Sequence, residues 1–142
     1  MGNMKQEACP FCNIASRIIK ENKTAAAFLS NPRKVSGHFL VVPKRHIEKP
    51  WELTKDEIQD IFELIFFIEQ KLVSKLGQGA DIRQNYRPYM TPGKIKQNHV
   101  HFHVYPRYNN DYLEQVSDRF EQDLFTDLDE GEREEFTKLL NE

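Results

Sequence analysis

Cysteine is scarce in this 142-residue chain: there are two, at positions 9 and 12. A disulfide scaffold is therefore excluded. None is required, because a domain of this length buries about two thirds of its unfolded surface and can be held by a hydrophobic core alone. Long apolar runs are also missing. None exceeds the five residues of 64–68, against the roughly 20 that a membrane helix needs. Residues 1–20 lack the apolar stretch of a secretory signal. A membrane span and secretion are disfavoured, and one cytoplasmic domain is expected, with an apolar content of 39% that is low but still globular.

Net charge is small, at −2, but unevenly distributed. Residues 1–110 hold 17 Lys and Arg against 10 Asp and Glu, a net +7, whereas 111–142 hold 3 against 12, a net −9. A basic body suits a phosphate-bearing ligand; the same numbers also describe a solvated surface followed by an acidic helix. The expected division is a body over 1–110 and an acidic helical extension over 111–142, the latter too short to be a domain. There is no repeat and no low-complexity segment.

Periodicity outlines the elements. Residues 24–29 (TAAAFL) and 38–42 (HFLVV) read as short strands, separated by turn chemistry at Asn31-Pro32 and Ser36-Gly37 and closed by Pro43. Thr54 and Glu57 have the spacing of a capping box, with Leu53 and Ile58 as a staple. The apolar series Ile58, Ile61, Phe62, Ile65, Ile68, Leu72, Leu76 then predicts a helix that Gly77 stops. Leu64, Phe66 and Phe67 widen its apolar face, which implies deeper burial or a subunit contact, burial being favoured. Residues 81–86 are a further strand candidate and 87–97 a loop. Residues 98–105 (NHVHFHVY) are the clearest strand, ended by Pro106. Leu113, Val116, Phe120 and Leu124 predict one helix, and Phe136, Leu139 and Leu140 a second. The whole is α+β: an antiparallel sheet of about five strands, one long helix and a helical tail.

Three of the five histidines alternate within six residues. On a strand, His99, His101 and His103 would share one face, about 6.6 Å apart, while Val100, Phe102 and Val104 share the other and bury against the helix. Such a row can surround one phosphate group, a neutral imidazole attacking phosphorus while a neighbouring imidazolium neutralises charge or protonates a leaving oxygen. Metal binding is an equal alternative for a bare H-x-H-x-H, and a polar strand face without chemistry is the third. Cys9 and Cys12 are open to three readings: a redox pair, a disulfide, or half of a zinc site completed by two histidines, for which His46 and His99 are the candidates.

Three blocks together resemble the histidine triad superfamily. His99-Val100-His101-Phe102-His103-Val104-Tyr105 is similar to its H-φ-H-φ-H-φ-φ signature. Gly37-His38-Phe39-Leu40-Val41-Val42-Pro43-Lys44-Arg45-His46-Ile47 resembles its G-H-x-L-V-x-P-K-x-H-I segment, and Cys9-Pro10-Phe11-Cys12-Asn13-Ile14 its C-x-F-C-x-I opening. The resemblance implies a hydrolase or transferase acting on nucleoside phosphoramidates or dinucleoside polyphosphates, the alternative being a catalytically weak nucleotide-binding protein of the same fold. It assigns the nucleophile to His101, which would form a nucleotidyl-histidine. His103 would bond phosphate or leaving-group oxygens, and the main-chain carbonyl of His99 would fix the tautomer of His101. No metal is required for the chemistry. A structural zinc on Cys9, Cys12, His46 and His99 is implied, as in zinc-bearing members, and a homodimer is expected; a nucleic-acid polymer is not an expected partner. His38 is expected to be a structural hydrogen-bonder, and Pro106-Arg107 resembles the dinucleoside-polyphosphate-cleaving branches.

The pattern also breaks. Ser30 stands where many members carry the aspartate that binds ribose, and a hydroxyl cannot offer the two anionic acceptors that grip a cis-diol; Asn31 is the substitute. Lys96 stands where a hydroxyl residue usually contacts phosphate, exchanging a directional bond for charge. The expected substrate-binding residues are Ser30, Asn31, Asn85, Lys96 and Gln97.

Overall fold

Short runs of small and β-branched residues assemble into a five-stranded antiparallel sheet: β1 (Lys20–Glu21), β2 (Ala25–Leu29), β3 (Phe39–Pro43), β4 (Gly79–Gln84) and β5 (Phe102–Arg107), in the order β1-β2-β3-β5-β4. The computed structural model describes residues 8–76, 78–93 and 96–142. Helix α1 (Lys55–Lys75) connects β3 to β4. Its expected start is present: Thr54 Oγ1 accepts from the Glu57 N–H at 3.1 Å, and Glu57 Oε1 from the Thr54 N–H at 2.9 Å. The expected stop, Gly77, lies outside the described residues.

The alternation of side chains sorts the sheet into two faces. Ala25, Ala27, Val41 and Val104 pack with Ile61, Leu64, Ile65, Ile68 and Leu72 of α1, and Phe39, Leu53, Phe62 and Phe102 border them. Ala26, Phe28, Leu40 and Val42 face the other way, onto Cys9, Phe11, Cys12 and Ile14. The segment carrying the two cysteines is therefore the lid of a second core. Leu64 is buried as expected, but Phe66 and Phe67 are 53% and 41% exposed, so the burial reading of the widened helix face fails for both. Ile58 is exposed as well.

The strand expected over 98–105 begins only at Phe102 and runs through Pro106 to Arg107. Its register places His103 opposite Leu40 and Arg83. The four residues before it leave the ladder because their partners lie elsewhere: the Val100 N–H donates to Ile47 O at 2.8 Å, and the His99 ring is drawn to Cys9 and Cys12. β4 lies two residues earlier than expected, and β1, two exposed charged residues, carries no hydrophobic alternation by which to find it.

Residues to Asn109 form one compact unit and Asn110–Glu142 another. The second comprises α2 (Tyr112–Val116), a 3-10 turn (Asp118–Leu124) and α3 (Glu130–Leu140), with Asp111 and Asp129 as side-chain caps. The helix expected across 113–124 breaks at Ser117, whose φ of −140° and ψ of −64° are not helical. No described helix is long and apolar enough to cross a membrane.

Candidate active site

Packing of the second core brings together four groups from three separate stretches of the chain. Cys9 precedes the short turn Pro10–Cys12 and Cys12 ends it, His46 follows β3, and His99 precedes β5. One ligand atom from each lies within 4.8 Å of all the others, and all four residues are buried. The Cys9 Sγ–His99 Nδ1, Cys12 Sγ–His46 Nδ1 and Cys12 Sγ–His99 Nδ1 distances are 3.4, 3.3 and 3.6 Å. Tetrahedral zinc with bonds of about 2.3 Å to sulfur and 2.0 Å to nitrogen separates such pairs by about 3.5 Å, so the donor set fits that ion. The outer nitrogens agree. His99 Nε2 donates to Pro43 O and His46 Nε2 to Glu48 Oε2, both at 2.9 Å, which leaves each Nδ1 lone pair facing the thiols. Burial and the neighbouring Cys12 push the Cys9 thiol up to about 11, a cost that coordination of a cation reverses.

The main chain of His99 serves a second group. Its carbonyl oxygen lies 2.7 Å from His101 Nδ1. A carbonyl can only accept, so Nδ1 carries the proton and the Nε2 lone pair is free. A similar chain sets His103. The Lys34 N–H donates to His38 Nδ1 at 3.1 Å, so in neutral His38 the proton sits on Nε2, which lies 2.9 Å from His103 Nδ1. His103 consequently holds its own proton on Nε2. Two adjacent imidazoles with ring centroids 5.0 Å apart are thus in opposite tautomers, His101 with a free lone pair and His103 with an N–H. Phe11 packs edge-on against His101 at 5.1 Å.

Burial disfavours the imidazolium expected beside the nucleophile. Burial is the first cause of depression at four rings: His99 and His38 fall to about 4, His103 to about 3, and His101 falls as well. Lys96 adds to the effect at His101, and Lys34 and Arg83 to that at His103. Burial thus favours the neutral form of these four rings, and the positive charge beside them comes from Lys34, Arg83 and Lys96.

All three triad histidines line one cavity of about 870 Å³, together with Ser30, Asn31, Asn85, Lys96 and Gln97. Their side chains are not a single row, however: the His99 ring belongs to the Cys/His cluster and only its carbonyl serves His101. The Ser30 hydroxyl donates to Pro32 O at 2.7 Å, within its own loop. Lys96 Nζ hydrogen-bonds Asn98 Oδ1. His38, expected as a hydrogen-bonder, is one, and it also lines the cavity. Pro43 O, Glu48, Phe11, Lys34 and Arg83 escaped sequence reasoning. Phe11, Pro43 and Arg83 reach their histidines only through the fold, whereas Glu48 and Lys34 lie two and four residues from His46 and His38.

Comparison with known proteins agrees with this architecture. The HIT domain family matches residues 12–110. The adenosine 5'-monophosphoramidase hnt1 of Schizosaccharomyces pombe is 32% identical over 113 residues, covering 74% of this chain and 78% of that protein. The asymmetrical bis(5'-nucleosyl)-tetraphosphatase of the same organism is 27% identical over 101 residues, 71% of this chain but 54% of the relative. Among solved structures, a zinc-bound histidine triad family protein from Mycobacterium smegmatis superposes with a TM-score of 0.64 at 25% identity, covering 75% of this chain and 79% of that one. With a match across most of its length and the triad set in an α+β fold of the same kind, this chain belongs to the HIT family.

Proposed function

We propose that this protein hydrolyses a nucleoside phosphoramidate or a dinucleoside polyphosphate through a covalent nucleotidyl-His101 intermediate. The observation that carries the reading is the His99 carbonyl on His101 Nδ1 at 2.7 Å, which exposes a neutral Nε2 lone pair to the cavity. In the first step the Nε2–P bond forms as the bond from phosphorus to the leaving group breaks, and a leaving amine or oxygen takes one proton from solvent. The His103 N–H stabilises the departing atom or a phosphate oxygen as a hydrogen-bond donor, since a neutral imidazole is a poor acid. Water then attacks phosphorus, the N–P bond breaks, and one proton of that water returns to solvent. Cationic Lys96, Lys34 and Arg83 balance phosphate charge around the two rings.

Ser30, Asn31, Asn85 and Gln97 are assigned to substrate binding because all four line the cavity. Cys9, Cys12, His46 and His99 would hold a structural zinc, whose contribution is to lock the turn Pro10–Cys12 against the segment leading into β5. Pairing into a homodimer through exposed Phe66 and Phe67, and residence in the reducing cytoplasm, complete the reading. The Ser30 hydroxyl bonded into its own loop favours a second reading, a binding protein that turns over slowly.

The test is incubation with adenosine phosphoramidate and with diadenosine tetraphosphate, followed by chromatography and intact-mass analysis. AMP release, with a nucleotidyl adduct trapped on acid-free quenching and absent from a folded His101→Ala variant, supports the enzyme. Binding without product supports the second reading.

A further inference from the structure

The division of charge along the chain has no part in the chemistry of the triad. Residues 111–142 carry 12 carboxylates against 3 cations, and the stretch 123–132 interleaves its acids with apolar side chains. A tail that is merely solvated has no use for large apolar groups. Here Leu124, Phe125 and Leu128 are 78%, 79% and 69% exposed, more open to water than Phe66 or Phe67 of α1. Residues 125–129 join the 3-10 turn to α3 and are extended at both ends, with Phe125 at φ −77°, ψ 138° and Asp129 at φ −92°, ψ 158°. An extended segment presents its side chains alternately to two sides, so acidic and apolar groups are both open to a partner.

The body holds the complement. Among the described residues lining the triad cavity, Arg17, Arg33, Lys34, Lys49, Arg87 and Lys96 are cationic, and the sole carboxylate, Glu48, accepts from His46. Phe11, Leu40, Met90 and Val100 line it as well. A cationic cavity with apolar walls receives an acidic, apolar peptide on the same terms as a phosphate-bearing ligand: charge-assisted bonds to the anion and burial of the rest.

The path of the chain favours exchange between copies. β5 runs from Phe102, next to His101, to Arg107, about 17 Å further along the sheet. The body of one copy thus ends away from its own nucleophile, and a two-fold pair can exchange two such segments symmetrically.

We propose that the acidic segment 123–132 of one copy docks in the triad cavity of a second copy and competes there with substrate. This rests on the reading that the cavity takes an anionic nucleotide. Held nearby in a pair, the segment raises the substrate concentration at which the site fills.

Carbodiimide joins a lysine amine to a carboxylate in contact with it, with loss of water, and so records the docked segment. Full-length protein carrying light nitrogen and protein carrying heavy nitrogen are unfolded together in urea, refolded with zinc, linked and digested. Lys34, Lys49 or Lys96 is expected to be linked to an acid of 123–132, and about half of these links should be of mixed isotope, as random two-fold pairing gives. A full-length variant with Asp127→Asn, Asp129→Asn, Glu130→Gln and Glu132→Gln is expected to lose them. Its KM for adenosine phosphoramidate should fall about threefold or more at unchanged kcat. Links of a single isotope only, which would place the segment in its own cavity, overturn the proposal. So do links confined to other lysines, and a KM that the variant does not move. Failure of the underlying reading looks different: the mixed links form, but neither adenosine phosphoramidate nor diadenosine tetraphosphate yields product.

Discussion

The carbonyl oxygen of His99 holds His101 Nδ1 at 2.7 Å, while the imidazole of the same His99 lies 3.4 Å from Cys9 Sγ and 3.6 Å from Cys12 Sγ. One residue thus joins a buried donor cluster to the candidate nucleophile through its two ends. A rotation of the His99 side chain that disturbed its backbone would move the acceptor that sets the His101 tautomer.

Metal removal is the direct check on that link. Purified protein is expected to carry about one zinc per chain by elemental analysis. Chelation or Cys12→Ser should lower the unfolding free energy by about 3 kcal/mol, some 10 °C in Tm for a chain of this size, because four buried donors lose their common partner. Turnover of the apo form should fall several-fold and return with added zinc. A zinc-free protein with unchanged Tm refutes the assignment.

The two ends of α1 differ in what anchors them, and the N-terminal anchor reaches the site. Arg45 Nη2 and Nε donate to Glu57 Oε1 and Oε2 at 2.7 and 2.9 Å, with Glu57 buried. That bond to Arg45 holds the Glu57 carboxyl below its usual range. Arg45 directly precedes His46, so the pair ties a cluster residue to the helix cap. Arg45→Ala strands a buried carboxylate and should cost about 2–3 kcal/mol by urea denaturation, less than for a fully buried pair because Arg45 is partly solvated. Arg45→Lys should recover only part, since a point charge cannot make both bonds. A loss under 0.5 kcal/mol would show that the pair is idle.

Much of this site is legible in the chain because its signals are local. The capping box at Thr54 and Glu57, the three- and four-residue spacing of α1 and the alternation around His103 survive into the structure, since each is read from neighbours in sequence. What failed is what depends on distant partners. A period of two continues back to Asn98, yet the ladder stops at Phe102, because Ile47 O and the two thiols compete for Val100 and His99. Phe66 and Phe67 fit an apolar stripe, but the sheet covers Ile61, Leu64, Ile65, Ile68 and Leu72 and leaves those two exposed. The Trp51–Tyr86 contact joins residues from opposite ends of α1, and no window of sequence contains both.

Lys96 should act mainly on binding. It lines the cavity, and its charge adds to the burial that depresses His101. Lys96→Gln is expected to raise KM for a polyphosphate substrate about five- to tenfold, roughly 1 kcal/mol, with a smaller change in kcat, and to flatten the dependence of kcat/KM on ionic strength. A large fall in kcat at unchanged KM would instead place the ammonium on the transition state.

Acid should destabilise the fold over a defined interval. His38 and His103 bond each other and are both depressed by burial first, to about 4 and about 3, with Lys34, Arg83 and His101 adding repulsion at one ring or the other. A histidine whose folded pKa lies below its unfolded value near 6.5 binds more protons when unfolded. Its contribution is therefore complete above about pH 6.5 and is lost as pH falls from there toward 4. For His38 the loss is on the order of 2–3 kcal/mol. Urea unfolding at pH 7.5, 6.5, 5.5 and 4.5, with zinc saturating throughout, should show a falling free energy below 6.5, and His38→Gln should flatten the slope by about one proton. A flat wild-type profile across that interval would mean that the pair takes up protons as readily in the folded state as in the unfolded one, and the tautomer chain from Lys34 through His38 to His103 would fall with it.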